Sequence, residues 1–224
     1  MFRIKICGIT RPVDAHSAVE AGADAIGLNF VPSSTRFVHL ERAQEIAAAV
    51  AGQVAKVGVF VNADAQEVNR TANSLRLDWV QLHGDEPPDY LNDITSEVRI
   101  LRVYRSRTST EVIADLQNCQ QAGRMPDAIL VDAAAPGIFG GTGQTLDWQS
   151  VGDLIRHLSE KRLALPLLLA GGLNPSNVAR AIALARPFGV DVAGGVEDSP
   201  GLKSAAKVRQ FVSEALEAFR ETEG

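Results

Sequence analysis

The stretch LLLAGGLNPSNVARAIALARPFGVDVAGGVEDSPGLK, residues 167–203, contains two short apolar runs that each end in a pair of glycines. The first run, residues 166–170, is too short and too apolar for an amphipathic helix, so it predicts a buried strand. After the glycines, Asn174 is a candidate N-cap and Pro175 a candidate first helical residue, which predicts a helix over residues 175–185. The stretch therefore begins with a strand, a glycine turn and a helix.

The second run, residues 189–193, repeats this design and precedes a final predicted helix over about 203–220. The glycines of the two turns are Gly171, Gly172, Gly194 and Gly195. Because glycine has no side chain, its backbone N–H can approach a ligand closely, and a helix N-terminus adds partial positive charge. Two such turns in successive units predict a site for one phosphate group. The alternative is that the glycines only end the strands and turn the chain.

The rest of the chain alternates short apolar runs with helix-compatible sequence. Six further strands are predicted, over residues 3–7, 24–30, 54–60, 78–82, 99–104 and 127–131. With the two C-terminal strands these make eight βα units, which predicts an α/β fold, a single (β/α)8 TIM barrel domain over residues 1–224. An open doubly wound sheet is the alternative.

Two weaker signals accompany this pattern, one in the positions of its aspartates and one in its fifth helix. Four aspartates begin or closely precede apolar runs and fall in the second, fourth, sixth and eighth predicted strands, which hints at a two-unit period. These residues are Asp24, Asp78, Asp127 and Asp191. The helix of the fifth unit, between residues 108 and 121, has weak periodicity, which is compatible with a short helix.

The composition limits the classes of protein that are possible. A net charge of −5 and a pI near 5.4 argue against a nucleic-acid partner, since phosphate backbones are bound mainly through Lys and Arg clusters. The N-terminus lacks the apolar core of a signal peptide, and no stretch approaches the ~20 apolar residues that span a bilayer, so we expect a cytoplasmic protein without a membrane partner. Cys7 and Cys119 have no metal-ligand spacing, which predicts two free thiols and no metal site.

Two candidates for chemistry end predicted strands, and active-site residues of a (β/α)8 barrel lie at the carboxyl ends of its strands. Cys7 ends the first strand, so its thiol can face the barrel mouth and act as a nucleophile or a base. The alternative is a buried thiol that behaves as a small apolar group. Asp132 ends the sixth strand, where its carboxyl group can act as an acid or a base, or can cap the following loop.

Two further side chains on the predicted active face suggest substrate binding. Arg36 follows the second strand, and its two-pronged guanidinium can clamp a carboxylate; an exposed arginine without this role is the alternative. His83 follows the fourth strand and can orient a substrate or hydrogen-bond its own loop. The glycine-rich loop between Asp132 and Asp147 is long enough to be a mobile lid, and a plain loop is equally compatible with it.

Six segments together resemble the phosphoribosylanthranilate isomerase family of tryptophan biosynthesis. They are KICGIT at 5–10, STRF at 34–37, QLHGDE at 81–86, LVDA followed by GGTG and LDW within 130–148, LAGGLNP at 169–175, and GVDVAGGVEDSPGLK at 189–203. They span almost the whole chain in the family's order, and the resemblance implies a phosphate-binding (β/α)8 barrel. One departure is Ala193 and Gly194, where the family commonly has two serines whose hydroxyls can contact phosphate.

The resemblance also implies an activity and a role for each candidate residue. The activity is the Amadori rearrangement of N-(5-phosphoribosyl)anthranilate, with Cys7 as general base and Asp132 as general acid. Arg36 would meet the anthranilate carboxylate, the glycine turns would hold the phosphate, and Asp191 would contact the sugar. No metal or organic cofactor is implied, because the iminium formed from the substrate is itself the electron sink. The base requires a thiol pKa lowered by nearby positive potential.

The expected partner is a small phosphorylated substrate, and the protein is expected to be a monomer or a homodimer. Two other functions stay open. One is another aldose–ketose phosphosugar isomerase on the same barrel; Arg36 counts against it, because a plain sugar phosphate has no carboxylate to clamp. The other is a phosphometabolite-binding barrel without catalysis, against which the presence of Cys7 and Asp132 counts.

Overall fold

Eight parallel strands form the framework of the computed structural model, which describes residues 1–105, 108–132 and 148–223. The strands are β1 (Ile4–Ile6), β2 (Ala25–Asn29), β3 (Ala55–Phe60), β4 (Trp79–Leu82), β5 (Arg99–Arg105), β6 (Ala128–Asp132), β7 (Leu167–Ala170) and β8 (Gly189–Val192). The helices are α1 (Pro12–Ala21), α2 (Leu40–Ala49), α3 (Ala65–Leu75), α4 (Ser109–Ala122), α5 (Trp148–Glu160), α6 (Val178–Ala185) and α7 (Ala205–Glu223). The candidate lid after Asp132 lies outside the described residues.

Three short elements complete the described fold. A 3₁₀ helix, Pro88–Asp93, follows β4, and a 3₁₀ turn, Gly194–Val196, follows β8. Strands β9 (Glu197–Ser199) and β10 (Leu202–Lys203) then form an antiparallel hairpin before α7. The second glycine turn therefore leads into a hairpin, and α7 begins only after it.

The sheet closes on itself because β1 pairs in parallel with both β2 and β8. At the closure, Ile4, Lys5 and Ile6 lie opposite Val190, Asp191 and Val192. The predicted (β/α)8 barrel is confirmed, and the doubly wound alternative is wrong because the two edges of the sheet hydrogen-bond to each other. Each predicted strand begins and ends within one residue of the observed one.

Three of the four periodic aspartates join neighbouring strands at the amino end of the barrel. Asp24 accepts hydrogen bonds from the backbone N–H groups of Arg3 and Ile4, at 3.0 and 2.9 Å. Asp78 accepts from the N–H of Lys56, and Asp127 from that of Ile100, both at 2.8 Å. In each pair, an aspartate before an even strand satisfies an N–H at the start of the preceding odd strand.

The fourth aspartate, Asp191, does not share this role, so the hint of a two-unit period holds for three positions only. Asp191 lies within β8 and points into the barrel, where it accepts a hydrogen bond from Lys5. Asp191 lies inside its strand and not before it, and its carboxylate pairs with the Lys5 ammonium at 2.8 Å.

Two helices differ from the prediction in length or start. Helix α4 has 14 residues and a capping box between Thr108 and Glu111, which stabilises its N-terminus, so it is not short. Helix α6 begins at Val178 with Asn177 as N-cap, so the predicted start at Pro175 is wrong. The reason is a local turn: Asn174 Oδ1 accepts hydrogen bonds from Ser176 N and Oγ at 2.9 and 2.6 Å, which competes with the helix.

The barrel interior changes from apolar to polar along its axis. At the amino end, Phe2 and Trp79 pack edge to face with ring centroids 5.3 Å apart, within an apolar cluster that fills the inside of the barrel. Nearer the carboxyl end, Lys5, Gln81 and Asp191 are polar and buried. Buried polar groups normally have partners, so this layer is a place to look for a site. Within the described residues, no helix is both long and apolar enough to cross a membrane.

Candidate active site

A cavity of about 490 Å³ opens at the carboxyl ends of the strands. All nine residues predicted as site residues line it: Cys7, Arg36, His83, Asp132, Gly171, Gly172, Asp191, Gly194 and Gly195. Asp132 and Asp191 lie in β6 and β8, and the other seven lie in the segments that follow β1, β2, β4, β7 and β8, which the closure of the barrel brings together. The structure thus places every candidate from the sequence in one cavity.

Cys7 directly follows β1, and its backbone N–H donates to the carbonyl of Val192 on β8 at 2.8 Å. The side chain is a free thiol and is buried at the floor of the cavity. Burial raises the pKa of Cys7, and the positive charge of Lys5 opposes that rise without cancelling it. The lowered pKa expected from sequence is therefore wrong, because desolvation of the thiolate outweighs the nearby cation.

Lys5 was missed in the sequence analysis, although it lies in β1 two residues before Cys7, a spacing that directs both side chains to the same face of extended chain. Its side chain is 0% exposed, and its ammonium donates to Asp191 Oδ1 at 2.8 Å. Burial would lower the pKa of Lys5, but attraction to Asp191 and Cys7 outweighs it and the pKa is raised. Lys5 is thus a cation inside the barrel.

Arg36 reaches the cavity from the loop between β2 and α2. Its stem passes over Gly8, where any side chain would collide with it. Arg36 Nε and Nη2 donate to Glu197 Oε1 and Oε2 at 2.8 and 2.6 Å, a bidentate pair that leaves Nη1 for another acceptor. The hydrogen bonds to Glu197 raise the pKa of Arg36.

Glu197 is a second residue that the sequence analysis missed, and it sits between two cations. Besides Arg36, it accepts a hydrogen bond from Lys203 Nζ at 2.7 Å, and Lys203 also donates to the carbonyl of Ala193 at 3.0 Å. Burial alone would raise the pKa of Glu197, but the two cations outweigh burial and hold that pKa below its usual range. Two positive charges and one negative charge leave this cluster with a net positive charge beside the second glycine turn.

His83 and Gln81 project from β4 toward the same cavity. Gln81 Nε2 lies 3.2 Å from His83 Nδ1, so the two side chains orient each other. Burial and the charge of Arg105 lower the pKa of His83, which keeps the ring neutral near pH 7. Gln81 is buried, and among the described residues its Oε1 has no hydrogen-bond partner. The sequence predicted His83 as a site residue, and the structure shows that Gln81 of the same segment also lines the cavity.

The two glycine turns lie against each other. Gly171 and Gly172 have φ values of 94° and 65°, a region that favours glycine, and the carbonyl of Gly172 accepts a hydrogen bond from Asn177 Nδ2 at 3.0 Å. Gly195 packs on the first turn so closely that an added Cβ would collide with the carbonyl of Leu173. The second turn therefore needs a residue without a side chain at Gly195.

Among the described residues, no group of three or more His, Cys, Asp or Glu side chains is arranged to hold a metal ion. The ionisable groups of the cavity instead form pairs and small clusters of opposite charge. A thiol, a carboxyl group and cations gathered above a closed parallel barrel define the class of (β/α)8-barrel enzymes that work by acid and base chemistry.

The comparisons with known proteins specify the family within that class. Residues 4–214 match the family model of N-(5'-phosphoribosyl)anthranilate (PRA) isomerase. The chain is 44% identical over 214 residues to the N-(5'-phosphoribosyl)anthranilate isomerase of Acidithiobacillus ferrooxidans, which covers 95% of this chain and 97% of the relative. The chain therefore belongs to the phosphoribosylanthranilate isomerase family, and the resemblance seen in the sequence is confirmed.

Two solved structures are similar over nearly the full chain. One is a phosphoribosylanthranilate isomerase in complex with reduced 1-(o-carboxyphenylamino)-1-deoxyribulose 5-phosphate, with a TM-score of 0.78, 34% identity, and coverage of 97% of this chain and 100% of that one. The other consists of monomers generated from the dimeric enzyme of Thermotoga maritima, with a TM-score of 0.77, 34% identity and the same coverage. Both share the barrel described above.

Proposed function

We propose that this protein converts N-(5-phosphoribosyl)anthranilate to 1-(2-carboxyphenylamino)-1-deoxyribulose 5-phosphate, an Amadori rearrangement in tryptophan biosynthesis. The observation that carries the proposal is the shared cavity in which Cys7 and Asp132 meet Arg36 and the two glycine turns. One acid, one base and two anchors for the ends of a substrate are what this reaction needs. The related enzyme bound to a reduced product supports the same substrate class.

The first chemical step opens the ribose ring, and we assign it to Asp132. In its protonated form Asp132 gives a proton to the ring oxygen, the bond from that oxygen to C1 breaks, and the anilino nitrogen supplies electrons to form an iminium. The carboxyl group stands at the end of β6, beside Arg105 on β5 and Ala170 on β7. It is part-exposed at the cavity wall, where a substrate ring oxygen can reach it.

The second step removes the proton on C2, and we assign it to Cys7. As a thiolate, Cys7 takes that proton, and the electron pair moves into the iminium to give an enolamine. The enolamine then tautomerises to the ketose product. The iminium accepts the electrons, so this route uses only the substrate and the side chains of the cavity.

Two sets of groups lining the cavity anchor the substrate across these steps. Arg36 binds the anthranilate carboxylate through the guanidinium nitrogen that Glu197 leaves available, and the backbone N–H groups of the glycine turns bind the phosphate. Asp191 and His83 contact the sugar, and the Gln81 oxygen that has no partner among the described residues accepts a hydrogen bond from a sugar hydroxyl. Ala193 and Gly194 contribute backbone N–H groups to phosphate without hydroxyls.

The proposal extends to the protein as a whole. The chain forms one barrel domain over residues 1–224, works in the cytoplasm as a biosynthetic enzyme, and is a monomer or a homodimer. A relative is described as dimeric, which supports the second of these states. Sedimentation equilibrium of the purified protein measures the state directly.

The direct test of the function is an activity assay on pure protein. We expect the fluorescence of N-(5-phosphoribosyl)anthranilate to fall when the protein is added, because the rearrangement changes the anilino sugar. Parallel assays with plain aldose phosphates should show no turnover, since they have no carboxylate for Arg36. Turnover of those sugars alone would support the other isomerase, and binding without turnover of any substrate would support a barrel without catalysis.

The carboxylate anchor predicts a graded effect at Arg36. We expect Arg36→Ala to raise KM by roughly 10 to 100-fold, because it removes a charge-assisted contact worth about 1.5 to 3 kcal/mol. Arg36→Lys should raise KM much less, because lysine keeps the positive charge. Some increase should remain, because lysine cannot reproduce both hydrogen bonds to Glu197. Arg42→Ala, which removes an exposed arginine of α2, is the control and should leave KM unchanged. Unchanged kinetics in Arg36→Ala would exclude the clamp.

The phosphate anchor predicts a difference between two adjacent glycines. We expect Gly195→Ala to weaken inorganic phosphate binding at least about 10-fold, because its Cβ would collide with the Leu173 backbone. Forcing extra atoms into a packed region costs about 1 to 3 kcal/mol, and relief of the clash would move the backbone N–H groups that bind the phosphate. Gly194→Ala should weaken binding less, since its Cβ would meet the ends of two side chains and no backbone, with Arg36 Nη2 at 3.3 Å and Glu197 Oε2 at 3.9 Å. Isothermal titration of both variants measures the difference; equal affinities in the wild type and Gly195→Ala would contradict the phosphate site.

A further inference from the structure

The ion pair between Lys5 and Asp191 lies inside the barrel, where most side chains are apolar. The Lys5 side chain is fully buried and that of Asp191 is 10% exposed. Removing two charges from water costs free energy that a buried pair only partly recovers, and well-packed apolar residues in such a place are often as stable or more so. Stability alone therefore does not explain why this strand carries a lysine.

The neighbourhood of Gly27 shows what the lysine faces. A Cβ added at Gly27 would lie 2.7 Å from Cys7 Sγ and 3.2 Å from Lys5 Cε. The thiol and the end of the lysine side chain thus converge over the same glycine of β2. The positive charge of the Lys5 ammonium acts on the Cys7 thiol and favours its ionised form.

We propose that Lys5 is a positioning residue for the base, in that its ammonium is the counter-ion of the Cys7 thiolate and Asp191 holds that ammonium in place. The inference rests on the proposed role of Cys7. In the resting cavity Lys5 and Asp191 neutralise each other, and the thiol is protonated. When Cys7 loses its proton, the ammonium lies between two anions and stabilises both.

Other charged groups also face the thiol and belong in this account. Asp191 on β8 opposes formation of the thiolate, and Lys203 on β10 favours it. Arg36, from the loop after β2, interacts with Cys7 as well. His83 and Asp132 line the same cavity. The effect of Lys5 on the Cys7 pKa must therefore be separated from that of Asp191. Separation is possible because the two charges shift this pKa in opposite directions.

The test measures the reactivity of the Cys7 thiol and does not depend on turnover of a substrate. The rate of alkylation of Cys7 by iodoacetamide is followed against pH by mass spectrometry of the peptide that contains it, in a Cys119→Ser background. We expect Lys5→Met to move the rate profile to higher pH by about one pH unit, which makes alkylation about 10-fold slower at a fixed pH below the midpoint. Asp191→Asn should move the profile to lower pH. Lys56→Met, a lysine of β3 that donates to Leu75 outside the cavity, is the matched control and should leave the profile unchanged.

A double variant covers the case in which Lys5→Met leaves Asp191 as an unpaired buried charge and fails to fold. Lys5→Met with Asp191→Asn should be alkylated about 10-fold more slowly than Asp191→Asn alone at the same pH. Equal rates in these two proteins, or the same profile in Lys5→Met and wild type, would overturn the inference. Failure of this inference is distinguishable from failure of the proposed function, because loss of activity in Cys7→Ser tests the base and the alkylation profile tests the lysine.

Discussion

Cys7→Ser is expected to reduce kcat by at least about 10²-fold while the protein remains folded. General base catalysis contributes about 10² to 10⁴-fold, and a thiol ionises far more readily than a serine hydroxyl, so the substitution removes the group that supplies the base. Serine keeps the shape of the side chain, so the loss reports the missing base. Binding of the reduced product analogue should change little, because the anchors at Arg36 and the glycine turns are intact.

The chain offers a matched control for this substitution at its other cysteine. Cys119 is buried on α4 and lies 3.9 Å from Asp115, outside the cavity, so Cys119→Ser should retain wild-type kcat. Iodoacetamide should inactivate the wild type, and the product analogue should protect it. Retention by Cys7→Ser of more than about a tenth of wild-type kcat, with chemistry shown to limit turnover, would exclude Cys7 as the principal base.

Asp132→Asn is expected to lower kcat by at least about 10²-fold as well, for a different reason. Asparagine keeps the size and polarity of the side chain but has no carboxylic proton to give to the ring oxygen, so the ribose ring stays closed. An open-chain product analogue should therefore bind with nearly normal affinity. Stopped-flow measurement of substrate fluorescence gives the rate of the chemical step directly.

The control for Asp132 lies at the other end of the same strand. Asp127 accepts a backbone hydrogen bond from Ile100 at the amino end of the barrel, so Asp127→Asn should affect stability slightly and kcat not at all. Wild-type turnover in Asp132→Asn would assign the acid to another group. Equal losses in both variants would indicate a general effect on the barrel, with no specific proton donor at Asp132.

Much of the fold could be predicted from the sequence because the signals are local. The apolar run of a buried strand and the glycines or helix caps after it depend on neighbouring residues, so all eight barrel strands were predicted within one residue. The helix starts were less accurate where side chains compete for backbone groups, as at Asn174. The position of the cavity followed from topology, since parallel strands direct their carboxyl ends to one face.

The barrel, the family and nine of the residues that line the cavity follow from the sequence, because motifs at strand ends carry that information. The pairing of those residues, and the part played by Gln81, Lys5 and Glu197, depends on the folded barrel. Glu197 meets Arg36 across 161 positions of the chain, and Lys5 meets Asp191 across 186, because β8 closes on β1. The direction of the Cys7 pKa likewise depends on how far the folded barrel removes the thiol from water, and burial is a property of the whole assembled structure.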